Sequence, residues 1–253
     1  MPTAAIAGPP SKFLMLAECR ALWEASATLA LWPLLQCAPR GDGHAVMVLP
    51  GLGASDGSTE LLRSFLETRG YAVHGWGHGT NCGPLPGVEK GLLDLLHRLH
   101  QSSGKVSLVG WSLGGVFARM LAAKSPETVR NVVTLGSPLH GSPKATRAAK
   151  VYELLSGRPA DDPRRQRWAR PTPMVPTTSM FSRSDGIVSW RSSLDEETPF
   201  SENIEVEASH FGLGVHPAVF YAVADRLSQP DGGWARFAAP ASLRPFYPDP
   251  ARP

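Results

Sequence analysis

Val106-Ser107-Leu108-Val109-Gly110-Trp111-Ser112-Leu113-Gly114-Gly115-Val116 is the stretch on which the reading of this chain turns. The apolar run Val106 to Val109 has the character of a buried strand, and the stripe Val116, Phe117, Met120 and Leu121 has the spacing of a helix that ends by Pro126. Between them sits Gly-x-Ser-x-Gly. In a strand-to-helix context this pentapeptide makes a sharp, strained turn that exposes its serine at the carboxyl edge of a sheet. Gly110, Gly114 and Gly115 leave the clearance that such a turn needs. In a chain with 25 glycines the string alone is a weak signal, and the flanking elements make it specific.

The pattern repeats on either side. His44 to Leu49 reads as a strand broken by Pro50-Gly51-Leu52-Gly53, and a helix capped by Asp56 or Ser58 carries Leu61, Leu62, Phe65 and Leu66 to Gly70. Strand Tyr71 to Trp76 follows. After a Gly-rich loop, Gly77 to Gly87, a helix with Val88, Leu92, Leu95, Leu96 and Leu99 ends at Gly104. Further strands are expected at Val132 to Leu135, Thr177 to Phe181 and Ile204 to Glu207, with a last helix over Pro217 to Leu227. Strands and helices alternating at these lengths predict an α/β fold, a mostly parallel sheet with helices on both faces. We read residues 1–253 as one domain with three embellishments. These are an N-terminal helical extension over 11–37, a cap insertion over 139–174 and a Pro-rich tail over 230–253 that wraps the surface.

A serine hydroxyl is a poor nucleophile without a base, so a histidine oriented by a carboxylate must accompany Ser112, in the chain order Ser, Asp, His. Asp185 follows the apolar strand before Gly186, and His210 lies on the loop before the last helix. Both are thereby placed at the sheet edge that carries Ser112. His216, directly before Pro217, is the competing base, and Asp195 is the alternative acid. Two backbone donors for an oxyanion are expected from Leu113 and Leu52, with Gly53 as the alternative to Leu52. Gly51, Gly53, Trp111 and His140 are expected to line the substrate site. Val151, Leu154, Leu155 and Trp168 of the insertion are expected to form an acyl wall, with Arg164, Arg165, Arg167 and Arg170 facing water.

On these motifs the chain resembles the α/β-hydrolase superfamily in its compact form. Within it the likeness is to bacterial lipases and esterases, and more loosely to GPI inositol-deacylase-like hydrolases. The resemblance spans about Ala45 to Leu227. Its carriers are Leu49-Pro50-Gly51-Leu52-Gly53, Gly110-Trp111-Ser112-Leu113-Gly114-Gly115, Gly136-Ser137-Pro138-Leu139-His140-Gly141, Ser184-Asp185-Gly186-Ile187-Val188 and Ser209-His210-Phe211-Gly212. Pro50 stands where such lipases usually have histidine, and no room remains for two leading antiparallel strands. The resemblance implies a serine hydrolase that cleaves carboxylic esters through an acyl-enzyme. Acyl transfer, thioester or polyester cleavage would use the same triad, and a non-catalytic ligand-binding member would have lost part of it.

Composition narrows the alternatives. With 42% hydrophobic and 19% charged residues the chain can bury a core, and a net charge of +3 without a long basic run gives nucleic-acid binding no electrostatic footprint. No apolar stretch reaches spanning length, and Glu18, Arg20 and Glu24 interrupt anything like a secretory signal, so a cytoplasmic location is expected. Met15, Cys19, Leu22, Ala25, Leu29 and Trp32 recur on one helical face behind the cap Ser11. That stripe is expected to dock on the fold, or else to touch a membrane surface through Trp23 and Trp32. Cys19, Cys37 and Cys82 form no metal or disulfide spacing and read as buried small hydrophobes. No cofactor and no metal are expected, and the partner is a small-molecule or lipid ester.

Overall fold

The computed structural model describes residues 8–141, 145–161 and 173–249. Six parallel strands form one sheet in the order β2-β1-β3-β4-β5-β6. These are β1 (Ala45–Leu49), β2 (Ala72–His74), β3 (Val106–Trp111), β4 (Val129–Leu135), β5 (Thr177–Phe181) and β6 (Ser201–Glu205). β1 pairs with both β2 and β3, so the chain order reverses beside β1 and β3, and the carboxyl ends of these strands open onto a crevice. Among the described residues, six helices cover this sheet or border its carboxyl edge: α4 (Glu60–Thr68), α5 (Val88–Ser103), α6 (Leu113–Lys124), α7 (Ala149–Ser156), α8 (Trp190–Ser193) and α9 (Pro217–Leu227).

Every residue of β1 and β3 is buried, as strands covered on both faces require. The pleat divides them. Val46 and Val48 join Leu62, Phe65 and Leu66 of α4 and Val219, Phe220 and Val223 of α9 on one face. Ala45, Met47 and Leu49 join Leu92 and Leu96 of α5 and Val116, Phe117 and Met120 of α6 on the other. The α/β sheet expected from the sequence is therefore present, with helices on both faces.

The N-terminal segment departs from expectation. It breaks into α1 (Lys12–Leu16), a 3₁₀ turn (Ala17–Arg20), α2 (Ala21–Ala30) and α3 (Trp32–Leu35), with Ser11 accepting the Leu14 N–H as its cap. Of the apolar stripe, Trp32 docks edge-on against Phe65 of α4, and the leucines do not. Leu22 is 79% exposed and Leu29 60%, whereas Glu18, Glu24 and Thr28 are buried, and only at the end of the arm does an aliphatic side chain, Leu35, enter the core. The reason is that the arm packs over loops rich in unpaired backbone N–H groups, which carboxylates satisfy and aliphatic side chains cannot. Cys19 and Cys37 are exposed and Cys82 is partly exposed, contrary to the expected burial. Cys19 sits next to Glu18, which takes the inward position of that turn.

The tail packs along α9 and β6. Arg226 donates to the Ala235 carbonyl, Phe237 N–H to Glu202, and the Tyr247 hydroxyl to the Ala218 carbonyl. No helix of the described residues is long and apolar enough to cross a membrane.

Behind the crevice, Arg119 of α6 and Asp195 form an ion pair with both side chains fully buried. Burial pushes the Asp195 carboxyl up, but His140 and Arg119 outweigh it and hold it below its ordinary value. Stability from this carboxylate is thus present above its unfolded-state pKa and is lost as pH falls through the lower folded-state value. Arg119→Met leaves Asp195 buried without its cation. It is expected to lower unfolding stability by about 3–5 kcal/mol at neutral pH, measured by urea denaturation.

Candidate active site

Ser112 joins β3 to α6 with φ 53° and ψ −118°, and it is the only non-glycine residue at positive φ among the described residues. Such a conformation costs on the order of 1–3 kcal/mol and persists only where packing imposes it. The imposition is visible. A Cβ on Gly114 would stand 2.2 Å from the Leu49 carbonyl oxygen, and one on Gly110 would stand 2.4 Å from Gly115 Cα. The two glycines let the turn press against β1 and α6, and that pressure aims Ser112 out of the sheet edge.

Asp185 follows β5, and its Oδ1 accepts the N–H groups of Ile187 at 2.8 Å and Val188 at 2.7 Å. This turn fixes the carboxylate and leaves Oδ2 for His210 Nδ1, 2.6 Å away. His210 Nε2 lies 3.1 Å from Ser112 Oγ. Gly136, at the end of β4 with φ +56°, makes room for both, since a Cβ there would sit 3.2 Å from Asp185 Oδ2 and 3.3 Å from His210 Nδ1. Burial pushes the His210 imidazolium pKa down, whereas the charge and hydrogen bond of Asp185, and the charge of Glu18, push it up; the balance lies above the ordinary value. Trp111 donates its indole N–H to the His210 carbonyl at 3.1 Å and braces the loop.

The alternatives are engaged elsewhere. His216 Nδ1 accepts the Ala218 N–H as the cap of α9. Asp195 pairs with Arg119 and accepts the Glu196 N–H. His140 is exposed and lies 3.5 Å from Asp195, and Ser112 is not among its contacts.

Leu113 opens α6, so its N–H is one of the donors a helix N-terminus leaves without an intrahelical partner. Leu52, in the loop after β1, lines the same small cavity of about 20 Å³ as Ser112 and Leu113, closed by Pro138, Thr146, Ala148, Ala149, Tyr152 and Val188. Gly51 approaches Ser112 closely, a Cβ there falling 3.3 Å from the serine Cβ. Asn81, fully buried, holds this loop, donating to the Pro50 carbonyl at 2.8 Å while its backbone carbonyl accepts the Gly53 N–H at 2.8 Å. Sequence reasoning missed Asn81 because a lone polar residue in a Gly-rich loop carries no periodicity.

Of the expected acyl wall, Leu154 is 83% exposed and Val151 49%, and neither lines the cavity. Leu155 reaches toward Gly53, within 3.5 Å of the position its Cβ would take. The face that α7 turns to Ser112 is that of Ala149 and Tyr152, and Val151 and Leu154 fall on its outer side. Arg164, Arg165, Arg167, Trp168 and Arg170 lie outside the described residues.

A second Ser-His-Asp arrangement exists at the opposite sheet edge. His44 Nε2 is 2.8 Å from Ser107 Oγ, and His44 Nδ1 is 2.5 Å from Asp42 Oδ1. Its chemistry differs. Ser107 is fully buried within β3, and Arg130 donates to Asp42 at 2.7 Å beside the imidazole. Burial first, and then the Arg130 charge, outweigh Asp42 and push the His44 pKa down. Three residue types in hydrogen-bond order do not make a nucleophile without access and a strained turn.

Among the described residues no group of three or more His, Cys, Asp or Glu side chains is placed to hold a metal ion.

With fold and site in view, comparison with known proteins shows what the chain is similar to. The family model of the alpha/beta hydrolase fold matches residues 45–166. The pimeloyl-[acyl-carrier protein] methyl ester esterase of Shewanella woodyi is 33% identical over 102 residues, covering 38% of this chain and 37% of that protein. The enzyme of the same name from Aliivibrio fischeri is 30% identical over 120 residues, 45% of either chain. The chain thus spans less than half the length of these curated relatives. Among solved structures, a metagenome-derived lipolytic enzyme superposes with a TM-score of 0.56 at 14% identity, covering 75% of this chain and 93% of its own. The pyrethroid hydrolase PytH gives 0.54 at 18% identity, with 74% and 98% covered. The six-stranded parallel sheet with helices on both faces is an α/β-hydrolase fold, and residues 45–166 are similar to the family of that name.

Proposed function

We propose that this protein is a serine hydrolase of carboxylic esters that works through an acyl-enzyme. The observation that carries the reading is the unbroken chain of hydrogen-bonding distances from Ser112 Oγ through His210 to Asp185, ending on a serine held at positive φ. The esterase relatives support the reaction class. Ser112 Oγ attacks the ester carbonyl while its proton passes to His210 Nε2. Asp185 holds the imidazole in the tautomer that can accept it and stabilises the imidazolium. The N–H groups of Leu52 and Leu113 receive the oxyanion, each donor contributing about 3 kcal/mol of transition-state stabilisation. Collapse expels the alcohol, which takes the proton from His210. Water then enters, gives its proton to the same nitrogen and releases the acid, restoring Ser112.

The substrate is a small-molecule or lipid ester whose acyl group meets the apolar wall of Leu52, Val188, Ala149 and Tyr152. Turnover across p-nitrophenyl esters of increasing acyl length tests the reading. Hydrolysis with an initial burst of p-nitrophenol is expected, and absence of turnover on every ester would overturn it.

The pH dependence is expected to have a defined sign. His210 acts as a base only when neutral, and its pKa is raised above 6.5. The protonated, inactive form therefore persists upward in pH, and kcat/KM is expected to rise through an acidic limb above 6.5. An acidic limb below that value would contradict the raised pKa of His210.

A further inference from the structure

The buried carboxylates of the N-terminal arm close on the loops that carry Asp185 and His210. Glu18 is 6% exposed, yet it has no cationic side chain within ion-pairing distance among the described residues. Its Oε1 accepts the N–H of Gly186 at 2.7 Å and the N–H of His210 at 2.9 Å, and its Oε2 accepts the N–H of Phe211 at 3.0 Å. One side chain thus binds the residue after Asp185, His210 itself and the residue after His210. Glu24 continues the contact, accepting the Ser209 N–H at 2.9 Å and its hydroxyl. Arg20 pairs with Glu24 at 3.1 Å and donates to the Ser184 hydroxyl at 2.7 Å.

Two glycines record how close the arm lies. A Cβ on Gly186 would fall 2.3 Å from the Leu14 carbonyl oxygen, and one on Gly212 would fall 1.7 Å from Glu24 Oε2. Neither has positive φ, so neither is there for turn geometry. Both are there because the arm occupies the space, each one or two residues after the acid or the base.

We infer that Glu18 is a positioning residue for the reaction, a carboxylate supplied by the N-terminal arm that sets the spacing between the Asp185 and His210 loops and acts on the imidazole through its charge. This rests on the reading of Ser112, Asp185 and His210 proposed above. The geometry separates its two contributions. Three backbone hydrogen bonds fix where the base sits, and a side chain one methylene shorter cannot make all three. The negative charge favours the imidazolium, as Asp185 does from its place at Nδ1. The other charged and titratable groups of this neighbourhood are Glu24, its partner Arg20 and, on the arm's far side, His216.

Glu18→Gln and Glu18→Asp test the two contributions in the full chain, with thermal melts to confirm folding. Glu18→Gln removes the charge and opposes an amide to the Phe211 N–H. It is expected to lower kcat about tenfold or more with little change in KM, and to move the acidic limb of kcat/KM to lower pH by roughly half a unit. Glu18→Asp keeps the charge and loses reach, so kcat falls while the limb stays in place. A purely structural carboxylate would change stability in both variants and move neither kcat per folded molecule nor the limb, and that result overturns the inference. Should Glu18→Gln fail to fold, Glu18→Asp decides alone: a fall in kcat at constant KM upholds the inference, and wild-type kcat overturns it. Fluorophosphonate labelling of the wild-type chain runs alongside. Unlabelled Ser112 would defeat the reading of the site itself, whereas labelled Ser112 with unaltered Glu18 variants defeats the positioning role alone.

Discussion

Ser112→Ala and His210→Ala are each expected to lower ester turnover by on the order of 10⁶, and the double variant is expected to lose no more than either alone. The equality follows from the mechanism, because a nucleophile without its base and a base without its nucleophile fail at the same proton transfer. Structure supplies the contrast. His216 is six residues further along the chain, but its ring caps α9 rather than facing Ser112. His216→Ala should therefore keep near-native kcat and lose about 1 kcal/mol of stability, the ordinary cost of a missing cap. Steady-state kinetics of the three variants at matched folded fraction makes the comparison. If His216→Ala is the more damaging at equal stability, the base has been misassigned.

Asp185→Asn is expected to lower kcat by on the order of 10⁴ while leaving KM and the fold nearly unchanged. Oδ1 is committed to the Ile187 and Val188 N–H groups, so an asparagine keeps its amide oxygen there and turns its NH₂ toward His210 Nδ1. That donor forces the proton onto Nε2, which can no longer accept one from Ser112. The loss is one of tautomer, not of architecture. The same substitution at Asp195 removes a charge from Arg119 and is expected to act on stability instead.

Much of the fold and site is legible in residue order. The pentapeptide around Ser112 specifies its own backbone strain because each flanking glycine faces backbone atoms at a distance no side chain tolerates. Asp185 and His210 can be placed at one sheet edge because each follows an apolar strand in a parallel fold, and the structure brings both within hydrogen-bonding reach of the line from Ser112. The arm defies its pattern for a physical reason. Periodicity of Met15, Leu22 and Leu29 marks an amphipathic helix but not which face meets the protein, and here the polar face does, because its target is backbone N–H rather than aliphatic surface. Glu18 and Glu24 look like interruptions of a hydrophobic segment, whereas they are the contacts. In α7 the departure is smaller: the residues that reach the cavity beside Ser112 are Ala149 and Tyr152 rather than Val151 and Leu154. No motif announces the cluster of Asp42, His44 and Ser107, and burial of Ser107 shows why residue type and distance are insufficient by themselves.

The central claim is that Ser112 is the activated nucleophile, and covalent labelling by a fluorophosphonate tests it most directly. The folded protein is treated at neutral pH, denatured, digested and analysed by mass spectrometry, beside a sample unfolded before treatment. The account predicts one phosphonylated peptide bearing the adduct on Ser112, absent from the unfolded sample and from His210→Ala. A folded protein that remains unmodified, or one that carries the adduct on another serine such as Ser107, would contradict it.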